Sequence, residues 1–381
     1  MRAIGIVSEY DPFHSGHRYH IEATRRMLGE NLPVICAMSG NWTQRGGPAI
    51  ADKWIRARLA LLGGADLVLE LPTPWATASA ETFARGAVEI LARAGADVLS
   101  FGSESGSLED LQAVSVCLDS REYQSFLRAE IDKGISFASA RQHAVEKLIG
   151  TASDCLEHPN NNLAIEYLRV IRTLNVDMSA VTVKRQGDGH NTPASGEGRA
   201  SASAIRSMLR QGEKEAWDHL LPEAKGMLTE FSDFKLAERA VLAKLRTMTA
   251  QELRMIPDCG EGLENRILEA AAKASSLAEL YDLAKSKRYA HARIRRVVLR
   301  AFLGIDRIPE RVPYLRVLGM NGRGRELLRQ MEGETVITKP AHGKGIPILE
   351  AEARYTDLYA LCFPTVRPSG MEWTKSPVVL P

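Results

Sequence analysis

Two histidines separated by a serine and a glycine, His14-Ser15-Gly16-His17, follow directly on the first apolar run of the chain. Imidazoles in such a place could donate hydrogen bonds to phosphoryl oxygens as charge builds on them. Gly16 would let a phosphate come close to the backbone. A helix starting here would add free N–H groups and the favourable end of its dipole. The chemistry these residues suit is transfer of a nucleotide, with phosphates held and no covalent enzyme intermediate. A metal pair or simple helix capping would also put histidines here. No cysteine or glutamate stands nearby at ligand spacing, which disfavours the metal.

Three further clusters bear on the same chemistry. In "SASAIRSML", Ser201 or Ser203 could cap a helix, and a hydroxyl with Arg206 could bind outgoing phosphates. Alone, this stretch reads equally well as a capped helix with a surface arginine; beside the H-x-G-H it gains weight. The loop "MSGNWTQRGGPAI" offers Gln44 and Arg45 to orient an acid or a base, and Gly46 and Gly47 for unusual backbone angles. Lys53 and Arg56 then open a helix, where cations oppose the dipole. An anion contact or a solvated face would account for them. "LAKSKRYAHARIRRVVLR" holds seven Lys/Arg and no acid. Ile294, Val297, Val298 and Ala301 share one helical face, and Arg293, Arg296 and Arg300 another. With Lys287 and Arg288, that second face would suit an RNA backbone, and Tyr289 and His291 could stack on an unpaired base. A solvated basic face is the plain alternative.

These residues need elements to position them. "AIGIVSEY", "PVICAMSG", "ADLVLELP" and "ADVLSFGSE" read as buried strands. Helices over His17–Leu28, Asp52–Leu62 and Ala80–Ala94 alternate with them, and "MSAVTVKR" follows as a fifth strand. Near-continuous apolar strands between amphipathic helices predict βαβ units and a doubly wound parallel sheet. The expected organisation is an α/β nucleotidyltransferase-like, ATP-binding domain over 1–212, a helical basic region over 213–305, and a small mixed part over 306–381. The last would contain a strand at "YLRVLGM", a helix over Arg323–Met331, a strand at "TVIT", a helix over Ile348–Leu361 and a proline-rich tail wrapping the surface.

Composition sets outer limits. The chain has 381 residues, more than one core usually supports. Its net charge of +2 gives no global signal for nucleic acid, so any such signal is local. Five scattered cysteines without C-x-x-C pairing argue against a disulfide framework or zinc knuckle and suit the cytoplasm. The first apolar run is too short for a signal peptide, and no run is long enough to span a membrane.

The segments "GIVSEYDPFHSGH", "MSGNWTQRGGPAI", "DLVLELP", "FARGAVEIL", "FGSESG", "PNNNLAIEYLR" and "YLRVLGMNGRGRELL" together resemble the tRNA(Met) cytidine acetate ligase family, of the H-x-G-H nucleotidylyltransferase superfamily. The resemblance implies use of ATP and acetate to form an acetyl-adenylate. The acetyl group would then pass to N4 of the wobble cytidine of elongator tRNA(Met). The family's ATP-binding loop falls on Val7, Ser8, Glu9, Tyr10, Asp11, Pro12, Phe13, His14, Ser15, Gly16, His17, Arg18, Tyr19 and His20. Its later nucleotide contacts fall on Gly102, on Asn160 or Asn161, and on Arg185. Ser203 and Arg206 match the second signature. Asp11 stands where the family usually has Asn, and Ser203 where it has Thr. The added carboxylate would call for an offset, such as the magnesium that accompanies ATP. Two further expectations remain open: a small-molecule adenylyltransferase with an incidental basic helix, and a nucleotide-sensing RNA-binding protein with a degenerate site.

Overall fold

The computed structural model describes residues 2–185, 200–286 and 288–381. The chain starts β1 (Ile4–Ser8), α1 (Ser15–Leu28), β2 (Val34–Ser39), a small hairpin β3 (Trp42–Thr43) and β4 (Gly47–Pro48), and α2 (Lys53–Leu62). It continues β5 (Leu67–Leu71), α3 (Thr73–Ala76), α4 (Ala80–Arg93) and β6 (Val98–Ser103). Helices α5 (Leu108–Cys117), α6 (Arg121–Asp132), α7 (Phe137–Ile149) and α8 (Pro159–Thr173) precede β7 (Ser179–Lys184) and α9 (Ala202–Gln211). A helical stretch follows: α10 (Ala224–Met227), α11 (Glu238–Thr247), α12 (Ala250–Arg254), α13 (Leu263–Lys273), α14 (Leu277–Ala284) and α15 (His291–Leu303). The chain closes with β8 (Leu315–Met320), α16 (Gly322–Arg329), β9 (Val336–Ile337), α17 (Pro347–Tyr359), α18 (Met371–Thr374) and β10 (Val378–Val379).

Strands β5, β2, β1, β6 and β7 lie side by side and parallel, in that order. Strands β1, β2 and β5 are almost wholly apolar and nearly all buried, as a sheet covered on both faces requires. Helices α4 and α8 cover one face and α1 and α2 the other. From β1 the chain builds outward to β2 and β5, then returns to place β6 on the opposite side of β1. The order reverses there, so a crevice opens over the carboxyl ends of β1 and β6.

The C-terminal part contributes to this same sheet. β8 pairs antiparallel with β5, and β9 and β10 flank β8. The tail was expected to wrap the surface; instead Glu372 is fully buried and β10 extends the sheet edge. Its partner is Lys53, expected either at an anion site or on a solvated face and in fact 0% exposed. The Lys53 ammonium lies 2.6 Å from Glu70 and 2.7 Å from Glu372, and Arg316 lies 3.7 Å from Glu372. Burial, then the Glu70 carboxylate, push the nearby Glu352 carboxyl up to about 8. Both Glu352 oxygens accept from Thr73, while Glu70 and Glu372 face Lys53 and Arg316. Arg56 is buried too; its guanidinium donates to the carbonyls of Glu9, Ala51, Ser39 and Gly40.

The β3–β4 hairpin joins the sheet to the helical stretch. Trp42 is fully buried among Phe234, Phe302 and Tyr359, and its indole N–H donates to the Tyr355 carbonyl.

Candidate active site

Helix α1 starts at Ser15, two residues earlier than the hydrophobic pattern places it, because His14 is its N-cap. The His14 Nδ1 accepts from the Gly16 N–H at 3.0 Å, and the His17 Nδ1 accepts from the His14 N–H at 3.2 Å. A nitrogen that accepts carries no proton, so each neutral ring keeps its proton on Nε2. Nδ1 of each ring is taken up by the cap, and its Nε2–H lies on the opposite side of the ring. The two rings lie 3.8 Å apart and 30° from parallel. Gly16 is required by this cap itself: a Cβ there would sit 2.8 Å from His14 Cε1.

Dense packing, then His14 and the cationic Arg185, hold the His17 imidazole well below its ordinary value. His20 is pushed down to about 4 by burial and Arg185. Its Nε2 lies 2.9 Å from the Ser100 hydroxyl, which also meets Thr24 at 2.7 Å. Both rings are thus neutral at pH 7. A depressed histidine stabilises the fold fully above its unfolded value of about 6.5 and loses that contribution as pH falls toward its folded value. We expect the thermal midpoint to fall between pH 6.5 and about 4. The fall should be shallower in His20→Gln; identical profiles in scanning calorimetry would contradict the assignment.

The remaining loop residues divide by exposure. Tyr10, Pro12 and Phe13 are buried and offer a ligand only their backbone. Tyr10 takes the left-handed conformation, φ 46°, with its ring edge-on to Phe13 and His17 at 4.8 Å. Val7, Ser8, Glu9, Ser15 and Tyr19 are half-buried, whereas Arg18 is exposed and paired with Glu22.

Arg206 closes over the loop from far along the chain. It donates to the Asp11 carbonyl at 2.6 Å and lies 3.2 Å from the Asp11 carboxylate, whose other oxygen accepts from the Ile50 N–H at 2.6 Å. Arg206 thus offsets the extra charge at Asp11. Ser201, not Ser203, caps α9 by accepting from the Ala204 N–H; Ser203 is half-buried.

Across the crevice, Gly102 lies on β6 beside Arg185, which is exposed at the end of β7. Asn161 is fully buried; its Oδ1 accepts from the N–H groups of Glu104 and Ser105, and its Nδ2 has no hydrogen-bond partner. Asn160 donates from Nδ2 to Glu104, whose carboxylate also accepts from the Asn160 and Asn161 N–H groups. Ser100 belongs to no spaced motif, and Glu104 lies within "FGSESG" without anything in that string assigning it a role. Their roles come from the neighbouring strand and helix.

Glu9, at the end of β1, accepts from the Gln44 N–H at 2.7 Å and thereby fixes the hairpin tip over the crevice. Of the glycine pair there, Gly46 alone takes a positive φ, 78°. No cluster of three metal-ligating side chains occurs among the described residues.

Helix α15 differs from the expected RNA face. Arg300 is 0% exposed, bonded to Asp258 at 2.9 Å and to the Pro257 carbonyl. Arg293 is half-buried, donates to the Asp258 carbonyl and pairs with Glu261. The acids that balance them come from the turn after α12, which a local count along the helix cannot see. Arg296 is half-buried and Arg288 exposed. Tyr289 is buried, with its hydroxyl on the Glu261 carbonyl, so it is not placed to stack on a base, and exposed His291 packs edge-on against Tyr281. Lys287 and residues 186–199 of the glycine-rich loop after β7 lie outside the described residues.

Comparison with known proteins gives one consistent picture. The HIGH Nucleotidyl Transferase family model matches residues 1–372. A tRNA(Met) cytidine acetate ligase of Acetivibrio thermocellus is 34% identical over 100% of both chains. One of Thermoanaerobacter sp. (strain X514) is 35% identical over 98% of each. A crystal structure of Thermotoga maritima TmcAL bound with alpha-thio ATP aligns over 100% of both chains, with a TM-score of 0.90 and 29% identity.

Proposed function

The chain belongs to the HIGH nucleotidyl transferases and, within them, to the tRNA(Met) cytidine acetate ligases, and from that premise we propose that it acetylates N4 of the wobble cytidine of elongator tRNA(Met), using ATP and free acetate. An acetate oxygen attacks the α-phosphorus of ATP. The bond from that phosphorus to the bridging oxygen of the β-phosphate breaks, and pyrophosphate leaves. The cytidine amine then attacks the carbonyl carbon of acetyl-adenylate. AMP departs with its phosphate oxygen, and the amine loses a proton to give N4-acetylcytidine.

The observation that carries this reading is the meeting of the two signatures: Arg206 bonded to Asp11, directly before the capped His14–His17 pair. The Nε2–H groups of His14 and His17 and the N-terminus of α1 would receive charge as pyrophosphate departs. Arg206, Ser203, Gly102, Arg185 and Asn160 or Asn161 would hold the nucleotide. The buried, unpartnered Nδ2 of Asn161 favours that residue as a donor to the nucleotide, since an unmet buried donor is costly.

The protein offers no site of its own for magnesium among the described residues. Both Asp11 oxygens and one Glu9 oxygen are already engaged. We therefore assign the ion to the triphosphate, as the usual counter-ion of ATP. No helix among the described residues is long and apolar enough to cross a membrane; we place the enzyme in the cytoplasm with its tRNA.

The amine is a weak nucleophile and acetate a weak electrophile, so acetate must be activated, and a dry cleft would protect the mixed anhydride. Purified protein incubated with tRNA, ATP and labelled acetate should label tRNA and yield AMP and pyrophosphate. Labelled acetyl-CoA should give none. Label entering only from acetyl-CoA, or ADP formed in place of AMP, would overturn this chemistry. Adenylation with no transfer to tRNA would point instead to a small-molecule adenylyltransferase.

A further inference from the structure

The hairpin tip between β3 and β4 sits against α15 at a very close approach. A Cβ on Gly46 would lie 2.6 Å from the Arg295 carbonyl carbon and 2.8 Å from the Arg296 nitrogen, so only glycine fits. The tip is held from the other side by the bond from Gln44 N–H to Glu9. Arg45, exposed between these two fixed points, spans from the end of β1 to the helical part.

Along this seam the arginines outnumber the acids: Arg45, Arg206 and Arg295 face Glu9 and Asp11. The nearby acids of the helical part are already taken: Glu264 by Arg254, Glu261 by Arg293, Asp258 by Arg300. Arg295 and Arg296 form no ion pair among the described residues, and the Nε of each is buried without a hydrogen-bond partner. Arg295 is nonetheless set in place, with its guanidinium 5.3 Å from the Tyr281 ring centroid. The protein atoms crowded round the exposed Arg45, with Arg206 and Arg295 beside it, lower its guanidinium from its ordinary value, against the pull of Glu9 and Asp11. Arginines brought together in excess of acids are stabilised by an anion. An anion that reaches from this seam toward the adenylation crevice must be long.

We propose that the backbone of the tRNA crosses from the helical part to the adenylation site at this seam, its phosphates held by Arg45 and Arg295. This placement rests on the tRNA reading above and moves the RNA contact off Arg293 and Arg300, which are committed to internal pairs. It also explains why the hairpin is tied to both β1 and α15: the nucleobase must reach the adenylate while the backbone stays outside.

The test uses the full chain and a transcript of elongator tRNA(Met). Wild-type acetylation of the tRNA is measured first. Arg295→Ala should then weaken tRNA binding about tenfold at ~0.1 M salt and make the log–log salt dependence shallower by about one unit. Arg45→Ala combined with Arg295→Ala should flatten it by about two. Arg295→Lys keeps the charge and should retain the slope, which separates a phosphate contact from lost packing. Acetate-dependent ATP–pyrophosphate exchange by Arg295→Ala should stay within a factor of about two of wild type. An unchanged slope in Arg295→Ala, with wild type active on tRNA, would overturn this placement alone. Exchange falling in step with tRNA binding would show that the seam serves the triphosphate, and would also overturn it. Wild-type protein that never acetylates tRNA would sink the functional reading, and this inference with it.

Discussion

His14→Ala and His17→Ala should each lower acetate-dependent ATP–pyrophosphate exchange by about 10²- to 10³-fold, the usual effect of removing one preorganised donor from a developing oxyanion. The direction follows from the cap: with both Nδ1 atoms accepting, both Nε2 atoms are donors without any shift in protonation. The two variants should differ in stability. His14 is the N-cap of α1, so its alanine variant loses about 0.5–2 kcal/mol as well. His14→Asn separates the effects, because asparagine caps well but lacks the outward Nε2–H. It should recover much of the stability and little of the rate. Exchange near wild-type levels in both alanine variants would remove the pair from the chemistry.

The largest loss of stability is expected at Lys53. Lys53→Met leaves Glu70 and Glu372 buried, 0% exposed at the side chain, and without their shared cation. Breaking a buried pair by removing one partner typically costs about 3–5 kcal/mol. Adding Glu70→Gln to the same protein should restore a good part of that loss, since Glu372 then keeps Arg316 as its cation and no second carboxylate is left unpaired. Denaturant melts of the single and double variants measure both. A loss under about 1 kcal/mol in Lys53→Met would mean that water reaches the cluster.

The strands were legible because β1, β2, β5 and β6 are short apolar runs punctuated by helices, a pattern set by local sequence. The H-x-G-H was legible as a site because it ends the first strand, and the strand order then places it at the reversal beside β6. Charged residues were less legible, since what they do depends on partners far away in sequence. Lys53 looked like a solvated or anion-binding residue until Glu372 lay beside it. Arg300 looked like part of an RNA face until Asp258 accounted for it. The offset at Asp11 could not be seen from residues 9–17, because Arg206 comes from another helix. The useful cation at α15 is Arg295, which shares neither the apolar face nor the Arg293–Arg300 face; only the hairpin's approach singles it out.

The ion cluster around Lys53 also bears on how the protein comes off the ribosome. Lys53 and Glu70 are synthesised early and Glu372 near the end of the described chain. β5 likewise waits for β8, its antiparallel neighbour. An emerging chain therefore holds a half-made sheet edge and a buried site short of one carboxylate for most of its translation. Contacts of such wide separation slow folding, because loop closure comes before any gain. Chains released before Glu372 should thus be loosely closed and quickly cut by proteases, so that cells accumulate few truncated copies able to occupy tRNA without acetylating it.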